Sequence, residues 1–311
     1  MREIHLERRF KTREEENKRF LKKAPAVEDA DVIERAGDVK AFDENGNVLF
    51  LVIRGGISRS VANIYYDELV KTKAFSFITF KRATASGQKR INVYKSAVTR
   101  FANESAILGF FDRSGGRQNF CRKCAWSKKH PQGHKFIISL AEMVSELYKK
   151  LLPEEYEFNK SASETACNYY ILGKSCYSTF TINRNFRCFY HRDPGNLEKG
   201  MASMFLIRKG LYKGGELIFP NFKAGVELSD RDIIIMNNRE IHGNLKFKGF
   251  GNFERITTVL YFRRNILFCG TPEKEVERIR KNKIGTGLIR ENLNPNLDDE
   301  AMKRFFITDK G

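Results

Sequence analysis

Long hydrophobic runs are absent from this 311-residue sequence. Its longest apolar stretches, such as VLFLVI at 48–53 and DIIIM at 232–236, are far shorter than the roughly 20 residues that cross a bilayer as a helix. The first ten residues, MREIHLERRF, lack the apolar segment of a secretory signal. The sequence therefore predicts an intracellular protein with no membrane contact.

Cysteine and tryptophan are also scarce, with six Cys and one Trp. Six cysteines in an intracellular chain of this length argue against a disulfide framework of the kind that holds small secreted domains together. The chain is nevertheless 41% hydrophobic and contains 26 Phe, a composition that excludes an intrinsically disordered protein. We expect one compact domain with helices packed around a β core.

Acidic residues are missing from two long stretches, although the whole chain has 56 Lys+Arg against 38 Asp+Glu and a net charge of +18. Lys71 to Arg100 contains eight basic residues, and Arg113 to Lys135 contains seven basic residues and two His. Aromatic side chains are interleaved in both stretches. A polyanion would gain affinity there through counterion release, whereas the simpler alternative is a basic surface that keeps the protein soluble. The pattern favours contact with nucleic acid.

Short apolar segments separated by Gly, Pro and Asn turns fill the chain after residue 168. Eight such segments at close spacing indicate a barrel or sandwich rather than a doubly wound sheet. Before them, the sequence predicts a charged helical arm over 1–40, a hairpin around DENGN at 43–47 and helices over 59–70 and 137–151. After them, 271–311 reads as a basic helical extension. The predicted class is α+β.

Two histidines and an aspartate carry ligand chemistry in the predicted strand region. His191 and Asp193 are two residues apart, so on a strand they share one face, and His242 follows a later strand. Two His and one carboxylate form the facial triad of non-haem Fe(II) oxygenases, which leaves three metal positions open. The alternative is that these are ordinary solvated surface residues.

Two further features favour the triad. Arg255 and Thr257 are two apart on a predicted strand, where they form a fork for a buried carboxylate such as the distal group of 2-oxoglutarate. Gly214-Gly215 leads into the apolar strand 217–219 between the two halves of the triad. Such a Gly-Gly turn is typical of a double-stranded β-helix, also called a jelly roll.

Four segments resemble the TET/JBP family of Fe(II)- and 2-oxoglutarate-dependent nucleic-acid dioxygenases. They are FTINRNFRCFYHRDPGN (180–196), YKGGELIFP (212–220), IHGN (241–244) and RITTVLYFR (255–263). The resemblance implies a dioxygenase domain over 41–270 with a double-stranded β-helix core over 168–265 and flanking helices. It implies Fe(II) on His191, Asp193 and His242, O2 as the oxidant, and 2-oxoglutarate held by Arg255 and Thr257, with Arg187 at its other carboxylate.

The same resemblance implies how a target base would be bound. It places Asn196 and Asn183 among the polar contacts and Tyr261 against a base flipped out of double-stranded DNA. Arg263 stands where animal members carry His, and its guanidinium is expected to donate to cytosine N3 or O2.

The expected reaction oxidises the C5 methyl of 5-methylcytosine to hydroxymethyl, and by repetition to formyl and carboxyl. Thymine hydroxylation and demethylation of an N-methyl base are the enzymatic alternatives, and a non-catalytic DNA-binding module is the third. We expect a monomer associated with DNA in the nucleus or nucleoid.

The loop CRKCAWSKKH at 121–130 resembles a DNA-contacting loop of the family. The DNA contacts expected from it are Arg122, Trp126, Ser127, Lys128 and Lys129. Without the family, C-x2-C and H-x3-H spacing gives zinc as an alternative, with the ligands Cys121, Cys124, His130 and His134, although the two pairs lie unusually close together. The other cysteines, Cys167, Cys176, Cys188 and Cys269, are expected to be buried on strands.

Overall fold

The computed structural model describes residues 1–77, 104–113, 119–282 and 290–306. Most of the basic stretch from Lys71 to Arg100, and residues 114–118 of the second basic stretch, lie outside the described residues. None of the helices that the structure describes combines the length and apolar character needed to cross a bilayer.

The described chain is mixed α and β. Its strands are β1 (Arg2–His5), β2 (Val32–Glu34), β3 (Val39–Phe42), β4 (Val48–Ile53), β5 (Glu104–Phe111), β6 (Arg122–Lys123), β7 (Thr179–Arg184), β8 (Ala202–Gly214), β9 (Leu217–Phe219), β10 (Ala224–Val226), β11 (Ile233–Met236), β12 (Gly243–Asn244) and β13 (Phe247–Tyr261). Its helices are α1 (Arg13–Phe20), α2 (Arg59–Lys71), α3 (Ala125–Lys129), α4 (Pro131–Leu151), α5 (Pro153–Thr165), α6 (Pro272–Lys281) and α7 (Asp299–Phe306).

The chain divides into two compact units. The first comprises Met1–Ala106, Ile182–Asp193 and Met204–Val259, and the second comprises Ile107–Thr181, Pro194–Ser203 and Leu260–Gly311.

The first unit contains two β-sheets whose apolar faces share one core. The part of the larger, nine-stranded sheet in this unit includes strands in the order β1-β3-β4-β11-β8-β13-β7, and the smaller sheet has the order β12-β9-β10-β2. Phe50 of the larger sheet stacks on Phe219 of the smaller at 5.2 Å between ring centroids. Leu206, Ile234 and Val226 are fully buried in the same cluster. Two facing, largely antiparallel sheets are the jelly-roll core that the sequence predicted.

The first 40 residues form part of this β core rather than a separate helical arm. β1 pairs in parallel with β3 in the larger sheet, and β2 pairs in parallel with β10 in the smaller. The short charged helix α1 lies between these strands in sequence. We expected a charged helical arm because the segment is rich in charged residues and its few apolar residues do not alternate with polar ones as they do in a strand.

The hairpin and the long helices agree with the sequence. Asp43 accepts hydrogen bonds from the backbone nitrogens of Asn45 (2.9 Å) and Asn47 (2.8 Å) in the turn between β3 and β4, as an Asx turn does. α2 begins after the capping residue Ser58. The helical spacing of the sequence places Ile64 on the same side as Tyr65 and Leu69, yet Ile64 is 56% exposed while the other two are buried.

In the second unit, α4 carries the amphipathic pattern that the sequence predicted. Its buried residues include Ile137, Leu140, Val144 and Tyr148. The helix ends at Leu151, and Pro153 begins α5, as expected of a residue that cannot continue a helix but fits its first turn.

Two of the eight apolar segments that we expected to be strands, YYILG at 169–173 and FRCFYH at 186–191, are not strands. Residues 168–170 form a 3-10 turn, and β7 ends at Arg184, so FRCFYH at 186–191 is irregular apart from one backbone bridge at His191. Arg187 therefore lies in a loop and not on the strand where we expected it.

Candidate active site

The first unit brings the three predicted metal ligands together. His191 and His242 form an isolated antiparallel bridge, in which each backbone nitrogen donates to the other residue's carbonyl at 3.0 Å. The backbone nitrogen of Asp193 donates to the carbonyl of Asn238 at 3.1 Å. One ligand atom from each of His191, Asp193 and His242 lies within 4.8 Å of the other two. The backbone thus assembles the triad from two chain segments.

Hydrogen bonds set the orientation of both imidazole rings. His191 Nδ1 lies 2.8 Å from the Phe189 carbonyl, and His242 Nδ1 lies 2.9 Å from the Glu240 carbonyl. A carbonyl only accepts, so Nδ1 carries the hydrogen in each ring and Nε2 keeps its lone pair. Burial, together with His191 nearby, lowers the pKa of His242 to about 4. Two neutral imidazoles with available Nε2 atoms and one carboxylate fit an Fe(II) ion.

Asn238 is a site residue that the sequence reasoning missed. It is fully buried, and its side-chain nitrogen lies 3.4 Å from Asp193 Oδ2. Arg239 Nη1 lies 3.4 Å from the Asp193 carbonyl. The first contact orients the carboxylate from outside the triad, as partners of metal-binding carboxylates do, and the second holds the backbone of Asp193. The only feature of the sequence that points to Asn238 is the polar segment NNRE at 237–240, shortly before His242.

Arg255 and Thr257 lie on the same face of β13 and are both buried, with exposed fractions of 5% and 4%. Arg255 donates from Nη2 to the Gly215 carbonyl at 3.0 Å, and its guanidinium carbon lies 5.7 Å from the centroid of the Phe247 ring.

No carboxylate of the described residues forms a salt bridge with Arg255. A buried guanidinium without an anion is costly, so this position fits the carboxylate of a bound cosubstrate.

Glycine is required beside this arginine. Gly215 has a φ of +91°, and a Cβ there would lie 3.0 Å from Arg255 Nε. Any larger residue would be strained in its backbone and would press on the guanidinium. The Gly-Gly turn seen in the sequence thus leaves room for the arginine side chain.

Arg187 and Asn183 are also in the first unit. Arg187 is half-buried, its guanidinium carbon lies 5.2 Å from the Phe189 ring centroid, and its Nε is buried with no hydrogen-bond partner among the described residues. Asn183 Oδ1 accepts a hydrogen bond from Ser105 Oγ at 2.7 Å. An unused buried donor agrees with a carboxylate-binding role for Arg187, whereas part of the Asn183 amide is already engaged within the protein.

The second unit contains the three remaining residues expected to contact a base. Asn196 and Tyr261 are each 5% exposed, and Tyr261 shares a 2.9 Å hydrogen bond with the Thr181 hydroxyl. Arg263 binds Asp112 instead of pointing its donors at a free site: Nε lies 3.2 Å and Nη2 3.0 Å from Asp112 Oδ1. Asp112 is fully buried, and burial raises the pKa of its carboxyl against the opposing effect of Arg263. Nε and Nη2 of Arg263 are thus engaged in an internal ion pair, and its expected donation to cytosine stays a prediction.

The basic loop differs from its prediction in two positions. Trp126 and Ser127 are fully buried, and Ser127 Oγ accepts a hydrogen bond from the backbone nitrogen of Gly109 at 2.8 Å. Buried side chains offer no surface to DNA, so direct contact by these two residues is wrong for this structure. Lys128 and Lys129 are exposed at the end of α3. Their contact with DNA stays a prediction.

Arg122, the fifth expected DNA contact, is half-buried. Its Nη1 donates to the carbonyls of Asp112 and Phe120, each at 3.1 Å. Burial lowers the pKa of its guanidinium.

The cysteines do not follow the expected arrangement. Cys121 forms a disulfide with Cys269, a single bridge and not the disulfide framework that the composition argued against, and this bond removes one ligand from the alternative zinc site. His134 packs edge-on against Phe110 at 5.4 Å between centroids, and burial lowers its pKa to about 4. Of the four cysteines outside the disulfide, Cys124 and Cys176 are buried and Cys167 and Cys188 are half-buried. None of the six lies on a strand.

Comparison with known proteins agrees with this geometry. The Tet_JBP family, described as the oxygenase domain of the 2OGFeDO superfamily, matches residues 106–264, slightly more than half of the chain. Thymine dioxygenase JBP1 of Leishmania tarentolae is 29% identical over 190 residues, which is 58% of this chain and 22% of that protein. The bifunctional helicase and thymine dioxygenase JBP2 of Trypanosoma cruzi is 25% identical over 250 residues, 77% of this chain and 20% of that protein. The chain spans about a fifth of the length of these curated relatives.

A solved structure supports the fold. NgTET1 in complex with 5mC DNA superposes with a TM-score of 0.56 at 13% identity, covering 85% of this chain and 92% of that one. The matched family region contains His191, Asp193, His242 and Arg255, the residues whose geometry fits a metal ion and a carboxylate. On these grounds the chain belongs to the Tet_JBP family of oxygenase domains in the 2OGFeDO superfamily.

Proposed function

We propose that this chain is an Fe(II)- and 2-oxoglutarate-dependent dioxygenase that oxidises the methyl group on C5 of a pyrimidine in DNA. The observation that carries the proposal is the triad, whose ligand atoms lie within 4.8 Å of one another, accompanied by a buried arginine without a carboxylate partner among the described residues. A protein that only binds DNA has no use for this combination.

The chain's own residues divide the work of binding. His191, Asp193 and His242 hold the metal through two Nε2 atoms and a carboxylate oxygen. Arg255 binds one carboxylate of 2-oxoglutarate beside the Thr257 hydroxyl, and Arg187 offers its unused Nε to the other. When bound, Fe(II), 2-oxoglutarate and O2 supply the oxidation, which converts 2-oxoglutarate to succinate and CO2 and the methyl group to hydroxymethyl.

The DNA base has to leave the duplex before its methyl group reaches the metal site. Extrusion costs a few kcal/mol, which stacking on an aromatic ring and hydrogen bonds to the extruded base offset. Tyr261 is the proposed stacking residue and Asn196 the proposed polar contact. The exposed Lys128 and Lys129 are the proposed phosphate contacts.

Thymine is the first candidate substrate. The relatives JBP1 and JBP2 are thymine dioxygenases by name. The ion pair with Asp112 also engages two of the three guanidinium nitrogens that we expected Arg263 to offer to cytosine.

5-Methylcytosine is the second candidate. The motif His191-Arg192-Asp193 is followed by Asn196, whose side-chain carbonyl can accept from the cytosine amine while its amide nitrogen can equally donate to thymine O4. NgTET1 was solved with 5mC DNA.

One experiment tests both the reaction and the base. A duplex containing thymine and 5-methylcytosine is incubated with the chain, Fe(II), 2-oxoglutarate and O2, and its nucleosides are analysed by mass spectrometry, with His191→Ala as the inactive control. Hydroxymethyluracil as the main product supports thymine, and hydroxymethylcytosine as the main product selects the second candidate. Succinate formation without either product, on DNA, overturns the proposed substrate class.

A further inference from the structure

The N-terminal segment of residues 8–29 contacts both chain segments that carry the metal ligands. It precedes the matched family region, which begins at residue 106. Its contacts reach Arg192, which lies between two triad residues, and Glu240, whose carbonyl binds the His242 ring. All of these residues belong to the first unit.

Glu16 of α1 forms a salt bridge with Arg192. The Glu16 side chain is 3% exposed and that of Arg192 is 14% exposed, so the pair lies largely out of water. Arg192 also donates from Nη1 to the Arg239 carbonyl. A buried ion pair with this extra hydrogen bond fixes the position of the residue that joins His191 to Asp193.

Arg8 binds Glu240 in a two-pronged contact. Its Nη1 and Nη2 lie 2.9 Å and 3.0 Å from the two carboxylate oxygens of Glu240. The backbone carbonyl of Glu240 accepts the hydrogen bond from His242 Nδ1. Holding Glu240 therefore holds the acceptor that orients the His242 ring.

Backbone contacts join the same segment to the residue before His191. The nitrogen of Lys22 donates to the Tyr190 carbonyl at 2.8 Å, and the nitrogen of Tyr190 donates to the Lys23 carbonyl at 2.9 Å. The Tyr190 hydroxyl donates to Asp29 at 2.8 Å, and the Phe20 ring packs against the Tyr190 ring at 5.8 Å. The N-terminal segment thus contacts both sides of the metal-binding motif.

We infer that Glu16 and Arg8 are positioning residues of the metal site, which tune its affinity for a divalent ion through Arg192 and Glu240. The inference rests on the proposed metal-binding function. It assigns to the N-terminal segment a role in the chemistry of a domain whose family match does not include it. Partners outside the ligand set are typically worth about 10–100-fold in metal affinity.

The test measures binding of Mn(II), which titrates the metal site without turnover, from the signal of free Mn(II) in electron paramagnetic resonance. Glu16→Gln keeps the size of the side chain but removes its charge, and we expect about tenfold weaker binding. Asp232→Asn is the matched control, since Asp232 is a buried carboxylate paired with Arg54 at 2.7 Å and contacts neither ligand-bearing segment. We expect Asp232→Asn to lower the unfolding temperature while leaving Mn(II) affinity as in the wild type.

A second variant covers the case in which Glu16→Gln does not fold. Arg8 is 23% exposed, so Arg8→Gln perturbs the core less, and we expect several-fold weaker Mn(II) binding. A double-mutant cycle of Glu16→Gln and Arg192→Gln is expected to show non-additive losses in affinity.

Two results contradict the inference in distinguishable ways. If the wild type binds Mn(II) and the folded Glu16→Gln and Arg8→Gln variants bind it equally well, the positioning role is wrong while the metal site stands. If the wild type itself does not bind Mn(II), the metal site of the proposed function fails, and the inference fails with it.

Discussion

The proposed metal ligands of the first unit and the residues of the second unit that we expected to contact DNA or a base use their polar atoms differently. In the triad, backbone carbonyls take the Nδ1 hydrogens of His191 and His242 and leave the Nε2 atoms for a ligand. In the second unit, Asp112 takes the donors of Arg263, and the Ser127 hydroxyl is bound to Gly109. The residue type at a motif position therefore predicts a binding role only where the neighbouring groups leave the atom that would bind a ligand free of other hydrogen bonds.

The largest expected effect is on the triad. His191→Ala or Asp193→Ala removes a metal ligand, so we expect succinate formation to fall to background, with DNA affinity nearly unchanged. His5→Ala, at an exposed histidine that stacks on Phe42, is the matched control and is expected to keep full activity. Succinate release and DNA binding are measured on the same preparations. Full turnover by either triad variant would show that the site assignment is wrong.

The next effect is on stability. Arg263→Ala leaves the fully buried Asp112 without its partner, and we expect a loss of about 3 kcal/mol in the free energy of unfolding, measured by chemical denaturation.

The loss in this variant depends on pH. Burial raises the pKa of Asp112 in the folded protein. The contribution of this carboxyl to the free energy of unfolding is therefore fully present below its unfolded pKa of about 3.9, and it is lost as pH rises through the folded pKa. Removing Arg263 raises that folded pKa further, so the variant is expected to lose most at neutral pH and least towards pH 4. Asp112→Asn in the same chain should recover part of the loss. A variant with wild-type stability but altered base preference would instead restore Arg263 as a base contact.

A smaller effect is expected at the cosubstrate site. Arg255→Lys keeps the charge but loses the planar fork that binds a carboxylate. Hydrogen bonds to charged groups are worth about 1.5–3 kcal/mol, which corresponds to a rise of roughly 10- to 100-fold in KM for 2-oxoglutarate. Arg184→Lys, at a partly buried arginine paired with Glu254, serves as the control. An unchanged KM in the Arg255 variant would exclude it from cosubstrate binding.

The smallest effect is expected on DNA binding. Neutralising Lys128 and Lys129 together should weaken binding and lower the slope of log affinity against log salt concentration by about 2. Lys149 and Lys150, an exposed pair at the end of α4, give a control of equal charge, and their double alanine variant should keep the wild-type slope. If the Lys128/Lys129 variant also keeps the wild-type slope, neither of these two lysines contacts phosphate.

The sequence predicted the parts of the site that follow from local spacing. His191 and Asp193 are close in the chain, and the jelly-roll strands around them follow apolar runs bounded by turns. The association with His242 rested on its place after a later strand and on the Arg255 and Gly-Gly features, since the 50 intervening residues carry no spacing rule.

Other features depend on contacts between residues far apart in sequence. Asp112 and Arg263 are 151 residues apart, Glu16 and Arg192 are 176 apart, and the Cys121–Cys269 disulfide spans 148 residues. No periodicity or motif in the sequence identifies such distant partners. The ion pair of Arg263 with Asp112 and the place of the N-terminal strands in the β core were therefore not predictable. Asn238 was missed because asparagine is also common in turns, so its residue type alone does not show that its amide is buried beside Asp193.

The backbone bridge between His191 and His242 has a consequence for how the metal ion comes and goes. Two main-chain hydrogen bonds of 3.0 Å fix the separation of the two histidines before the ion binds. Binding of the ion therefore does not have to close the long loop between them, and it carries little of the entropy cost of loop closure. The site is therefore expected to lose its ion to a chelator and regain it without unfolding, and the His191 and His242 amides should exchange with deuterium equally slowly before and after chelation.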